Sequence, residues 1–191
     1  MGMLDSPAKR AALLVFTISS FLTPFMASAI GVALPEIGRE FGIDAVYLSW
    51  MMTAFLLSAA VFLVPFGRLA DIHGRKRIFV LGIAVFAVFS FWCGAAGSAA
   101  MLVVGRVLQG IGSALIFGTG IAILTSVFPD RERGRALGIN VAAVYAGLAA
   151  GPFLGGILVE HLGWRSVYWI SGTLAVVGLV RGRGAPKAGA R

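Results

Sequence analysis

Apolar residues run along this chain in blocks of about 20, the length a helix needs to cross a hydrocarbon core, and short polar stretches part the blocks. The blocks show no period-two alternation, which argues against membrane strands; helices satisfy their own backbone in lipid and are the remaining solution. The pattern predicts six spans, over 11–34, 47–66, 78–97, 101–127, 136–159 and 167–180. The sixth is short, and Trp164 just before it reads as an interfacial anchor. Polar loops are expected at 35–45, 129–135 and 160–166, with no room for a soluble domain. The expected fold class is all-α, a polytopic membrane bundle over residues 11–180. A short N-terminal stretch, 1–10, precedes it, and a basic Gly/Pro/Ala tail, 181–191, is expected to be disordered.

Composition strengthens this picture. The chain has 191 residues, 59% of them hydrophobic and 13% charged, more apolar and less charged than globular domains. The net charge of +8 suggests nucleic acid only until its distribution is read. Lys9 and Arg10 precede the first span, Arg68, Arg75, Lys76 and Arg77 lie between the second and third, and Arg131, Arg133 and Arg135 between the fourth and fifth. Arg181, Arg183, Lys187 and Arg191 follow the sixth, whereas the opposite loops hold only Arg39 and Arg165. This is the positive-inside pattern; it places both termini in the cytoplasm of a cell-membrane protein and accounts for the charge without nucleic acid. Ala27-Ser28-Ala29 resembles a signal-peptide cleavage site, but the apolar run continues past it and further spans follow, so the first block reads as a retained span. Cys93, the single cysteine, permits no intramolecular disulfide or metal cluster and reads as an inert span residue.

Three stretches carry function. The first, from Gly67 to Arg77, reads G-x-L-A-D-x-x-G-R-K-R. Asp71 lies one helical turn beyond Gly67, Gly74 permits a tight reversal, and Arg75, Lys76 and Arg77 open the third span. The second is Arg106 in the fourth span, within R-x-x-Q-G-x-G, the only cation placed inside a span. An arginine near mid-membrane costs roughly 2.5–3.5 kcal/mol on insertion scales; the alternative is snorkelling to the nearby interface. Gln109, at i+3, shares its face. The third is G-x-x-x-G-P-x-x-G-G in the fifth span: Gly147, Gly151 and Gly155 form a small-residue stripe suited to close helix approach, Pro152 removes a backbone donor, and Gly156 completes the motif. Gly105, Gly110, Gly112, Gly118 and Gly120 give the fourth span a similar character. Trp50, Met51, Met52, Phe55 and Tyr145 are candidates to line a lipophilic cavity, or simply to face lipid and neighbouring helices.

Together these motifs resemble the major facilitator superfamily, and within it the drug/proton antiporters, over the first half of a member with a 3+3 helix repeat. The resemblance implies a latch on the cytoplasmic face built on Asp71 and Arg75, with Asp130 or Glu132 as partners for Arg75. It links Arg106 and Gln109 to proton coupling and the glycine–proline stretch to an antiporter helix. It implies proton-coupled efflux of drugs or lipophilic metabolites by alternating access, with no covalent chemistry and no cofactor. The expected partners are the bilayer, a small-molecule substrate, and a second six-helix half or a homodimer. Two alternatives stay open: a transport-incompetent fragment or assembly partner, and a facilitator importing a neutral nutrient. One departure stands out. Such exporters often carry an acid and an asparagine in the first span, where this chain has Met26 and Gly31. No acid lies deep in any expected span, so the coupling ion is open, and so is whether the chain is truncated.

Overall fold

The computed structural model describes residues 7–183, and all regular structure among them is helical. The helices are α1 (Pro7–Phe41), α2 (Ala45–His73), α3 (Arg75–Gly94), α4 (Ala99–Val127), α5 (Asp130–Leu162) and α6 (Arg165–Arg183). Five are long and apolar enough to cross a membrane, while the apolar part of α6, Arg165–Val180, is shorter. The molecule is a multi-pass membrane bundle.

The helices outrun the expected spans at almost every end. Pro35 sits inside α1, so 35–41 is helix rather than loop. Proline deprives α1 of one rung, but Ile37 and Phe41 keep helical spacing beyond it, with Ile37 buried in the core and Phe41 packed against it. The true connection is 42–44, where Gly42 takes φ +63° and Asp44 caps α2 by accepting from the Tyr47 amide at 2.8 Å. Residues 130–135 likewise open α5, whose first turn carries Asp130 and Glu132, signs that suit the positive end of a helix. Residues 160–162 close α5. At the ends of the chain, 7–10 belong to α1 and 181–183 to α6. Residues 1–6 and the expected disordered segment from 184 to 191 lie outside the described residues.

The packing repeats itself. α1 lies against α5 as α2 lies against α4, α3 meets α4 as α6 meets α1, and α3 meets α6. Exchanging the first three helices for the last three therefore maps these neighbour pairs onto themselves, which is the 3+3 plan. α4 makes this packing close. A Cβ on Gly112 would stand 2.7 Å from the Phe86 nitrogen of α3, one on Gly110 would strike the Phe55 carbonyl of α2, and one on Gly120 would overlap the Phe16 ring of α1. Its other glycines follow the same logic, Gly105 meeting Cys93 at 2.5 Å and Gly118 the Leu63 carbonyl at 3.1 Å. Lipid gives helices little hydrophobic reason to associate, so contact area gained by backbone proximity replaces it.

At the end of the bundle away from residues 67–77, a polar clasp joins α1, the connection between α3 and α4, and the start of α6. Trp164 is buried among the helices and donates its indole N–H to Glu40 Oε2 at 2.7 Å. The sequence pattern hides this because its acceptor lies 124 residues away. Arg165 grips the same carboxylate with two bonds of 2.7 and 2.6 Å, donates to the Ala96 carbonyl at 3.0 Å, and stacks 4.3 Å over the Trp164 ring. The ion pair is part-exposed and contributes little by itself; the buried indole donor is what needs Glu40. Glu40→Ala is expected to lower the unfolding free energy in detergent by about 1–3 kcal/mol by stranding that donor. The same substitution should cost less in a Trp164→Phe background, a difference that a double-mutant cycle measures.

Candidate functional site

The middle of α4 brings the second motif together. Arg106 is 1% exposed, so its side chain does not snorkel. Its Nη1 donates to Gln109 Oε1 at 2.7 Å and its Nε to the Met51 carbonyl of α2 at 3.4 Å. The guanidinium carbon lies 4.2 Å from the centre of the Phe55 ring, a cation–π contact strengthened by the dry surroundings. Gln109, wholly buried, passes the polarity on by donating Nε2 to Ser90 Oγ of α3 at 2.8 Å; Ser90 donates in turn to the Phe86 carbonyl at 2.7 Å. The donors all run one way, from the cation to a backbone oxygen. Among the described residues, no carboxylate pairs with Arg106. Met26, at the position where an acid is common, is fully buried and accepts a bond from Ser171 at 3.2 Å.

Beside this network lies a cavity of about 340 Å³ between α1, α2, α4 and α5. Thr23 and Ala27, Phe55 and Ala59, Ser113, and Leu148 contribute walls from the four helices in turn. Of the five aromatic and methionine candidates, Phe55 lines this space. Met51 is buried beside Arg106, Trp50 borders a smaller recess with Val46, Ser49 and Thr53, Tyr145 is exposed, and Met52 is partly buried against the core. α2 and α5, which flank the cavity, bury far less of themselves than α1 and α4. Their exposed side chains include Leu56, Val61, Val64, Phe153 and Ile157.

At the end away from the Trp164 clasp, the segment from Gly67 to Arg77 is almost entirely helical, and the chain reverses at Gly74, where the sequence places the turn. Gly74 alone stands between α2 and α3, at φ +96°, with its N–H bonded to the Ala70 carbonyl at 2.9 Å. A side chain there would be strained. Gly67 lies against α4, its Cβ position 3.8 Å from the Gly118 carbonyl. Arg75 Nε meets Asp71 at 2.9 Å and its Nη1 reaches the Ala122 carbonyl of α4 at 3.2 Å. Asp130 pairs with Arg133, which also holds the Phe128 carbonyl at 3.0 Å, rather than with Arg75. The reason is reach. Asp130 and Arg133 share the first turn of α5, whereas Arg75 finds its acid one turn back across the Gly74 corner. Lys76 is half-buried and Arg77 exposed.

The Major Facilitator Superfamily profile matches residues 16–189, nearly the whole chain. The chain belongs to the Major Facilitator Superfamily. It is 32% identical over 174 residues to the riboflavin transporter RibZ of Clostridioides difficile (strain 630), covering 91% of this chain and 38% of that protein. It is 39% identical over 161 residues to the cephamycin export protein CmcT of Amycolatopsis lactamdurans, covering 84% of this chain and 33% of that one. The multidrug resistance protein Stp of Mycobacterium tuberculosis (strain CDC 1551 / Oshkosh) is 38% identical over 146 residues, 76% of this chain and 27% of its own length. The fold matches that of a bacterial homologue of the human lysosomal transporter Spinster, solved inward-facing and occupied, with a TM-score of 0.86 at 22% identity. That match covers 98% of this chain and 46% of the other. The chain thus spans about a third of the length of the relatives it matches and corresponds to the first six-helix half of a facilitator. Facilitators are transporters rather than enzymes.

In this facilitator half the third motif is the seam between α1 and α5. A Cβ on Gly147 would collide with the Phe21 carbonyl, one on Gly151 would lie 2.5 Å from Ser28 Cβ, and one on Gly155 2.9 Å from Ala29 Cα. Gly156 faces Val32 with room to spare, and Pro152 points outward, outside the seam. α5 runs unbroken through Pro152. The missing proline N–H withdraws the helical partner of the carbonyl four residues earlier, Leu148. Ser28 Oγ of α1 donates to that same oxygen at 2.9 Å. Sequence reading found the stripe but not this serine, nor Ser90 and Glu40, because each acts across helices far apart in the chain.

Gln109→Leu is expected to destabilise the protein by about 1.5–3 kcal/mol, since it takes an acceptor from a buried charge; Gln109→Glu should cost less, and thermal unfolding in detergent ranks the two. Ser28→Ala is expected to cost about 1 kcal/mol in the same assay. Its effect should disappear in a Pro152→Ala background, where α5 supplies its own donor to Leu148.

Proposed function

We propose that this chain forms one half of an exporter of lipophilic small molecules that works by alternating access and is driven by a proton gradient. The observation that carries the reading is the cavity between α1, α2, α4 and α5, apolar-walled, next to a buried cation. A second six-helix half would cover the exposed faces of α2 and α5 and close the cavity from the other side. The export and resistance proteins among the relatives support efflux as the direction. The basic residues gathered at the 67–77 end support a cell-membrane protein with that end, and both termini, in the cytoplasm. In this reading Arg75, Asp71 and the Ala122 carbonyl hold α2, α3 and α4 together at the cytoplasmic face. Half-exposed ion pairs of this kind are worth about 0–1 kcal/mol, weak enough to be made and broken in a cycle.

Arg106 is the charge in this half on which proton coupling would act. The test joins the chain to the second half of its CmcT-like relative and follows ethidium in proteoliposomes under an imposed pH gradient. Gradient-dependent ethidium movement, abolished by a protonophore and reduced at least about tenfold by Arg106→Ala, is the expected result. Movement that ignores the gradient, or that survives Arg106→Ala unchanged, overturns the coupling.

A further inference from the structure

Phe55 belongs to two environments at once. It is one of the residues around the 340 Å³ cavity, and its ring centre lies 4.2 Å from the guanidinium carbon of Arg106, which is not among the cavity's walls. The arrangement is built into the sequence. Gly110, one turn past Arg106, has no Cβ, so the α2 backbone at Phe55 settles directly onto α4; a methyl there would strike both the Phe55 carbonyl and Ser58 Oγ. Ser58 ties itself back to that carbonyl at 3.0 Å. Phe55 is 2% exposed and Arg106 1%. The cation is answered by Gln109, by a backbone oxygen and by the ring, but by no carboxylate among the described residues. A buried charge with neutral partners alone retains strong attraction for an anion that reaches it.

We propose that Phe55 is a shield that decides whether a molecule in the cavity meets the charge of Arg106. With the ring stacked, the cavity takes neutral lipophilic molecules. With the ring displaced, the same space becomes a site for aromatic anions, the anionic group on Arg106 and the hydrocarbon body against Ala27, Ala59 and Leu148. The inference rests on the cavity being a cargo site, as proposed above, but its test needs neither transport nor a second half.

The full chain in lipid nanodiscs is titrated with two fluorescent probes that share one skeleton, neutral phenylnaphthylamine and the anion anilinonaphthalene sulfonate. Wild-type protein should favour the neutral probe, after subtraction of protein-free nanodiscs. Phe55→Ala should raise affinity for the sulfonate relative to the amine by about tenfold, the scale of one charge-assisted contact. Phe55→Ala combined with Arg106→Gln should lose that gain. Phe55→Leu fills the space without a π face and should move the ratio the same way by less; it carries the test if Phe55→Ala does not fold. Parallel shifts for both probes, or a gain that survives Arg106→Gln, overturn the shield. Probe discrimination without gradient-driven efflux would leave the shield standing and remove the exporter reading; the reverse result would do the opposite.

Discussion

Arg106 holds a guanidinium at a position only 1% exposed, so its charge has to be met by groups of the protein. That requirement orders much of the bundle. It recruits Gln109 from its own helix, a backbone oxygen and a ring from α2, and, through Gln109, a serine from α3. Those groups reach it only because α4 is thinned by glycine on more than one side, so that α2 and α3 arrive at backbone distance. Polar satisfaction and close packing are therefore the same construction. A larger residue at Gly110 would do more than crowd the interface; it would lift Phe55 and the Met51 carbonyl away from the charge they help to stabilise.

The two sides of the molecule are unequal for a related reason. α1 and α4 are buried deeply, while α2 and α5 turn apolar faces outward beside the cavity. In a bilayer, exposed apolar side chains on a helix need no explanation by themselves. Their helices flank a shared concavity, which distinguishes them from exposed apolar side chains elsewhere, such as Leu81 and Val88 on α3.

Much of this was legible in the chain. Block length and the absence of alternation identified the helices and their number, because the membrane imposes one length scale on each. Arg106, Gln109 and the α5 glycines were legible because a cation or a close-packed stripe inside an apolar run is rare enough to stand out. What escaped has two physical causes. Helix ends were misjudged where proline and charge suggest loops: Pro35 lies within α1, and Asp130 starts α5 instead of reaching for Arg75. Partnerships between distant helices were invisible, as with Trp164 and Glu40 or Ser90 and Gln109. Local pattern shows which face a residue is on, but not which oxygen a neighbouring helix will present to it.

The bond from Ser28 to the Leu148 carbonyl gives α5 an unusual mechanical property. A helix without internal proline carries its own rungs, and its stiffness is independent of its neighbours. Here one rung is lent by α1, because Pro152 withdrew the internal one. α5 is thus locally stiff only while it lies on α1; a tilt away from α1 would remove the loan at a cost of about 1 kcal/mol and leave a compliant joint at the level of the cavity. Position and flexibility are coupled in a single hydroxyl, so the moment α5 moves is also the moment it becomes easier to bend.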